Sequence, residues 1–198
     1  MASSTAPRSL RFVITGARGL GRGLARCLLQ SGHRVYLLDV AEDELKNTLE
    51  KHLPAHKSSF PSIAATQKAY GGTKCDVTQQ DQVRSALAKA SEHFGGESYD
   101  CLVNMAARTD VFQFTPDAEG EPGLLAEKAL NAWHASVNTN LTGSFLVARE
   151  SIRYLRSAPG KQGAGRDEKD ASEWGSIINI SSTRAFQSEP NSEGYAST

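Results

Sequence analysis

The eight residues Gly16-Ala-Arg-Gly-Leu-Gly-Arg-Gly23 contain four glycines. A run of this kind lets main-chain N–H groups come close to an anion. It follows a short apolar stretch, Arg11-Phe-Val-Ile-Thr15, and leads into Leu20, Leu24, Cys27 and Leu28, which recur at helical spacing up to Gly32. Strand, glycine turn and helix in that order aim unpaired N–H groups and the positive end of a helix at one point, which suits a pyrophosphate. A tight turn with no ligand is the other reading of the same glycines. The next apolar run, His33-Arg-Val-Tyr-Leu-Leu-Asp39, ends on a carboxylate 23 positions beyond Gly16. Asp39 can accept hydrogen bonds from both hydroxyls of an adenosine ribose and would repel a 2′-phosphate, which favours NAD. Arg18 argues for NADP, because a basic side chain beside Gly19 can pair with that phosphate. NAD is preferred, since a carboxylate facing a phosphate costs more than leaving an arginine solvated, and NADP stays open. Asp39 could instead cap the following helix.

A second pair of reactive side chains lies near the end. Ser176-Ile-Ile-Asn-Ile180 is rich in β-branched residues and reads as a buried strand. The chain leaves it at Ser181-Ser182, crosses a polar loop with Pro190 and enters a helix at Tyr195, thirteen positions after Ser182. This segment resembles the active-site half of the short-chain dehydrogenase/reductase family, whose pattern is a strand, a serine, a loop of this length and Tyr-x-x-x-Lys. Ser182 and Tyr195 match the serine and the tyrosine, and the lysine would fall at position 199, one past the sequence. The glycine turn resembles the family's Thr-Gly-x-x-x-Gly-x-Gly, with Thr15 in first place and one residue fewer before the second glycine. Asn104-Met-Ala-Ala107 resembles the family's Asn-Asn-Ala-Gly, keeping its first asparagine, and Asn140-x-x-Gly143 matches another family spacing.

The resemblance implies hydride transfer between a nicotinamide and a carbon bearing a hydroxyl or carbonyl. Tyr195 would be the general acid/base and a cofactor contact, Ser182 would hold the substrate oxygen, and Asn140 would support a proton relay. The cofactor would meet Thr15, Gly16, Arg18, Gly19, Leu20 and Gly21 at the turn. It would meet Asp39 at the ribose, Asp76-Val77 at the adenine, and Asn104 and Ala106 at the exit of the fourth strand. Asp76 could equally be a plain turn residue, and Asn140 a plain helix-surface residue. A tyrosine titrates near pH 10 in water and needs a nearby cation to work at neutrality; the family's lysine supplies it. The resemblance also implies a homo-oligomer for a full-length form, built through two long helices.

The elements that must position these residues alternate along the chain. A helix is expected over Ala41–Leu53, stopped by Pro54, and a weak strand within Lys68–Cys75, interrupted by Gly71-Gly72. Thr78-Gln-Gln-Asp81 reads as a helix start with Val83, Leu87 and Ala90 on its apolar face. Tyr99–Ala107 reads as the fourth strand. Leu124–Arg156 reads as helical, with Phe145, Leu146, Ala148, Ile152 and Leu155 as its apolar stripe. Residues 1–10 read as a disordered tail, 54–66 and 108–123 as loops, and 159–173 as a flexible insertion. Strand–helix alternation from residue 11 onward implies an α/β fold, a Rossmann-type doubly wound parallel sheet in three α/β/α layers, with 11–198 as one NAD(P)-binding domain. The family's last two strands and the body of its Tyr/Lys helix would be missing. The chain is therefore expected to be a fragment with an open apolar edge, poor solubility and negligible turnover.

Composition narrows the partners. Lys+Arg and Asp+Glu stand at 22 each, so no basic footprint points to nucleic acid. No apolar run approaches the roughly 18 residues of a membrane span, and the N-terminus lacks a signal peptide's apolar core. Cys27, Cys75 and Cys101 form no Cys-x-x-Cys pair and read as buried small hydrophobes in a reducing, cytoplasmic compartment. The five histidines have no metal-ligand spacing. Two functions fit: an NAD(P)-dependent oxidoreductase acting on a small alcohol or carbonyl compound, or a non-catalytic dinucleotide-binding protein or inactive truncated fragment. A Tyr195→Phe change separates them.

Overall fold

A computed structural model of the chain describes residues 9–55, 68–109, 127–156, 175–187, 189 and 192–198. The expected tail at 1–8, most of the 54–66 and 108–123 loops and the 159–173 insertion lie outside the described residues. Five parallel strands form one sheet in the order β3-β2-β1-β4-β5: β1 Arg11–Thr15, β2 Arg34–Asp39, β3 Tyr70–Lys74, β4 Cys101–Asn104 and β5 Ser176–Asn179. The order reverses direction between β1 and β4. Open α/β sheets bind ligands at such a switch point, beyond the carboxyl ends of the strands.

Side chains alternate across the strands and build two cores. Val13, Tyr36, Leu38 and Leu102 face one side, where they meet Val83, Leu87 and Ala90 of α3 (Gln80–His93) and Val147 of α5 (Ser144–Ser151). Ile14, Val35, Leu37 and Val103 face the other, against Ala25 and Leu29 of α1 (Gly19–Gln30) and Leu45 of α2 (Glu42–Asn47). The result is the expected three-layer, doubly wound arrangement. Strands buried on both faces need apolar side chains in succession, which is why β2 reads Val-Tyr-Leu-Leu without alternation.

The helix expected over Ala41–Leu53 forms as α2 followed by one wide π turn, Thr48–His52. The weak strand becomes β3, paired with β2 along its whole length. Its glycines are explained by close packing: a Cβ on Gly71 would lie 2.7 Å from the His93 ring, and one on Gly72 2.7 Å from the Leu37 carbonyl oxygen.

Several local readings are corrected. β5 has the composition of a buried strand but is the open apolar edge expected of it; Ile178 is 45% exposed, because among the described residues the strand pairs with β4 alone. Leu20 and Cys27 lie on the outside of α1, since the small residues Gly21 and Ala25, with Leu29, seat that helix on the sheet. Thr78 does not cap α3; its hydroxyl and N–H bind the Asp76 carboxylate instead. In the 124–156 region, α4 (Glu127–Ser136), a wide π turn (Val137–Gly143) and α5 follow one another. There the buried stripe is Gly143, Val147 and Ser151. Phe145 and Ile152 face out, because the small residues take the side that abuts the sheet and α3. No helix among the described residues is long and apolar enough to cross a membrane.

His93 shows how the edge of the sheet responds to acid. Its ring packs 5.0 Å from Tyr36 and 5.3 Å from Phe94, and its Nε2 is buried without a partner. Burial first, then the Arg34 and Lys68 charges, push its pKa from 6.5 down to about 4. Between those values the unfolded chain takes up a proton that the folded chain refuses, so stability falls as pH falls through this window. The ring is partly solvated, which screens the effect to about 1 kcal/mol, a midpoint loss of roughly 2–4 °C. A thermal-unfolding series from pH 7 to 4 should show that extra loss in the wild type and not in His93→Gln. Equal slopes would refute it.

Candidate active site

The glycine turn sits at the carboxyl end of β1. Gly16 adopts φ +89° and Gly19 φ +45°, conformations open to residues without a Cβ. The Gly16 N–H donates to the Leu38 carbonyl at 2.7 Å, and the Ala17 N–H donates to Asp39 Oδ2 at 2.7 Å. Gly21 crosses the turn so closely that a Cβ there would lie 1.9 Å from the Gly16 oxygen. Arg18 precedes α1 in an extended conformation, and no side chain caps the helix. Among the described residues nothing accepts from the N–H groups of Gly19, Leu20 and Gly21. These donors, the helix dipole behind them and the lack of a Cβ at Gly19 and Gly21 fit a dinucleotide's pyrophosphate.

Neighbouring strand ends are tied to this turn. Thr15 is 1% exposed, and its hydroxyl accepts from the N–H groups of Met105 and Ala106 at 2.9 and 3.0 Å. Asp39 is 7% exposed; besides Ala17, it accepts from the Ala41 N–H through Oδ1 at 2.8 Å. It therefore holds the start of the next helix as well as the turn, and one lone pair on each oxygen is left for other donors. Asn104 donates to the Ser144 carbonyl at 3.1 Å and to Asn179 Oδ1 at 2.9 Å, joining β4 to β5 and α5, while its own Oδ1 is buried with no partner among the described residues. Asp76 closes a turn through Thr78, and Val77 packs on Gly143, where a Cβ would come within 2.7 Å of it.

The second cluster lies at the exits of β4 and β5. Asn140 sits inside the wide turn of residues 137–143. Its Oδ1 accepts from the Arg108 N–H at 2.8 Å, and its Nδ2 donates to the Arg108 carbonyl at 3.0 Å and to Thr198 Oγ1 at 2.9 Å. Ser182 precedes a 3-10 turn, Thr183–Ala185, and its Oγ accepts from the Arg184 N–H at 3.3 Å. Tyr195 lies half-buried on α6 (Glu193–Ala196), which packs against α4, the 3-10 turn and the wide turn. The three elements are thus brought together. Among the described residues no hydrogen bond joins Ser182 to Tyr195.

Sequence reasoning missed three residues at these sites. Asn179 is one; its in-register pairing with Asn104 is visible only once β4 and β5 are aligned. The others are Thr48 and Arg22, which meet behind the glycine turn and carry no motif. Burial pushes the Cys75 thiol up to about 12 and Cys101 up to about 11, so neither is a nucleophile near neutrality. No group of three or more His, Cys, Asp or Glu side chains among the described residues could hold a metal ion.

A five-stranded parallel sheet with flanking helices and a glycine turn at its switch point defines a Rossmann-type α/β protein. The short chain dehydrogenase family model matches residues 11–198, and the chain belongs to that family. It is 28% identical over 186 residues to an uncharacterized oxidoreductase of Thermotoga maritima, covering 94% of this chain and 58% of that protein. It is 28% identical over 194 residues to granaticin polyketide synthase putative ketoacyl reductase 1 of Streptomyces violaceoruber, covering 98% and 58%. A crystal structure of an actinorhodin polyketide ketoreductase variant with NADPH is 28% identical and superposes with a TM-score of 0.67 over 96% of this chain and 59% of that one. The chain thus spans somewhat more than half the length of the relatives it matches.

Proposed function

We propose that residues 11–198 are the dinucleotide-binding unit of an NAD(P)-dependent oxidoreductase acting on a small alcohol or carbonyl compound. The observation that carries this reading is the glycine turn, with unpaired N–H groups at the switch point and Asp39 beside it. A bound nicotinamide would accept or give the hydride. The residues of this chain do the rest: Gly19, Leu20 and Gly21 hold phosphate oxygens, Asp39 meets the adenosine ribose, and Asp76 and Val77 border the adenine. Ser182 holds the substrate oxygen, Tyr195 takes or returns its proton through the phenolic oxygen, and Asn140 keeps the wide turn and the Tyr195 segment in place. Asp39 favours NAD, because its negative charge opposes a 2′-phosphate; exposed Arg18 leaves NADP open.

The actinorhodin ketoreductase structure contains NADPH, which supports a nicotinamide cofactor, and the granaticin relative is named a ketoacyl reductase, which supports a carbonyl substrate. The outward apolar residues Leu130, Trp133, Leu141, Phe145 and Ile152 support a homo-oligomer through the long helix. All three cysteines are free, which suits the cytoplasm. Titration of the chain with NADH, followed by nicotinamide fluorescence, tests the reading. Saturable binding is expected, displaced by NAD more readily than by NADP. No binding of either dinucleotide would overturn it.

A further inference from the structure

We infer that Thr48, with Arg22, is a positioning residue for the dinucleotide: together they hold the shortened glycine turn in its ligand-ready shape. The inference rests on the nucleotide reading above and deepens it. The turn has one residue fewer than the pattern it resembles, so less chain spans the gap between β1 and α1. Ala17, wholly buried at the centre of that gap, is held through both of its main-chain polar groups. Its N–H donates to Asp39, and its carbonyl oxygen accepts from the Thr48 hydroxyl at 2.8 Å. Thr48 is itself 0% exposed, and its Oγ1 accepts from Arg22 Nε at 2.9 Å. Arg22 is in turn fixed by Glu44 at 3.3 Å and by His52 Nε2 at 2.9 Å.

The chain of bonds has a direction that matters. Thr48 must donate to Ala17 and accept from Arg22 at once, which a hydroxyl does and a methyl cannot. Accepting from a guanidinium strengthens the hydroxyl as a donor. Arg22 follows Gly21 directly, so the same linkage ties the far end of the turn to its centre. Thr48 is wholly buried, and the Arg22 guanidinium is spent on Thr48, Glu44 and His52. They act through Ala17, whose orientation sets where the N–H groups of the next four residues point. The wide turn Thr48–His52 is what presents both Thr48 and His52 to Arg22.

The test is NADH affinity by fluorescence titration, with NADPH as a second probe, alongside circular dichroism and thermal midpoint. Thr48→Val should keep the fold and weaken NADH binding about tenfold, equivalent to ~1.4 kcal/mol. Thr48→Ser keeps the hydroxyl and should bind within about twofold of wild type. A structural role alone would lower the midpoint in Thr48→Val without changing the affinity of the folded fraction. If Thr48→Val fails to fold, Arg22→Met decides: it removes only the guanidinium from a partly exposed site and should weaken binding roughly threefold. Unchanged affinity in whichever of the two variants folds, or weak binding by Thr48→Ser, would overturn the inference while leaving the nucleotide reading intact. A wild-type chain that binds neither probe would overturn both.

Discussion

Gly21→Ala is expected to abolish measurable NADH binding, a loss of at least about a hundredfold or ~2.7 kcal/mol. The added methyl would lie 1.9 Å from the Gly16 oxygen and 2.9 Å from its carbonyl carbon, inside any contact that atoms tolerate. Relief must come from moving main chain, and both sides of the contact are held. The Gly16 N–H is bonded to Leu38, and α1 is seated on the sheet by Ala25 and Leu29. The turn would open and the three unpaired N–H groups would no longer converge. Overpacking of this kind also destabilises by about 1–3 kcal/mol. Gly23→Ala is the control: its Cβ would meet nothing within 4 Å, and in a helix alanine is favoured over glycine by up to ~1 kcal/mol. If Gly21→Ala binds NADH like the wild type, the phosphates do not sit at this turn.

Tyr195→Phe should lower kcat by about 10²–10⁴-fold, the usual worth of a positioned proton donor. NADH affinity should change by less than about twofold. The phenolic oxygen has no hydrogen-bond partner among the described residues, so its removal breaks no bond among them. A turnover rate that survives the change would dismiss Tyr195 as the acid/base and favour a dinucleotide-binding protein without catalysis. Loss of affinity together with rate would instead show that the tyrosine's main duty is to hold the cofactor.

How much of this was legible in the residues depends on the range of the interaction. The glycine turn, Asp39 at the end of β2 and the Ser182–Tyr195 spacing are local patterns, and each stands where strand–turn–helix order puts it. The five strands and their parallel sense follow from buried runs alternating with amphipathic ones. What depends on non-local packing was misread. The local composition of Ser176–Ile180 is that of an internal strand, whereas among the described residues β5 pairs with β4 alone and is the open edge expected from the resemblance. The α5 stripe was misphased because Phe145 and Ile152 are the bulkier residues, whereas α3 and the sheet select the small ones, Gly143 and Ser151. The wide turns at Thr48 and Val137 leave no trace in periodicity, since a single π turn shifts the phase by only one residue. Thr48 and Arg22 were invisible for the same reason: their partners lie 31 and 26 positions away.

At the glycine turn and the strand exits, several side chains hold main chain. Thr15 grips the amides of Met105 and Ala106, Asp39 those of Ala17 and Ala41, and Asn140 both polar groups of the Arg108 peptide unit. Every residue except proline offers the same amide, so the gripped positions are released from selection on their own side chains. This is how Met105 can stand where the resembled pattern has asparagine while the strand exit keeps its course.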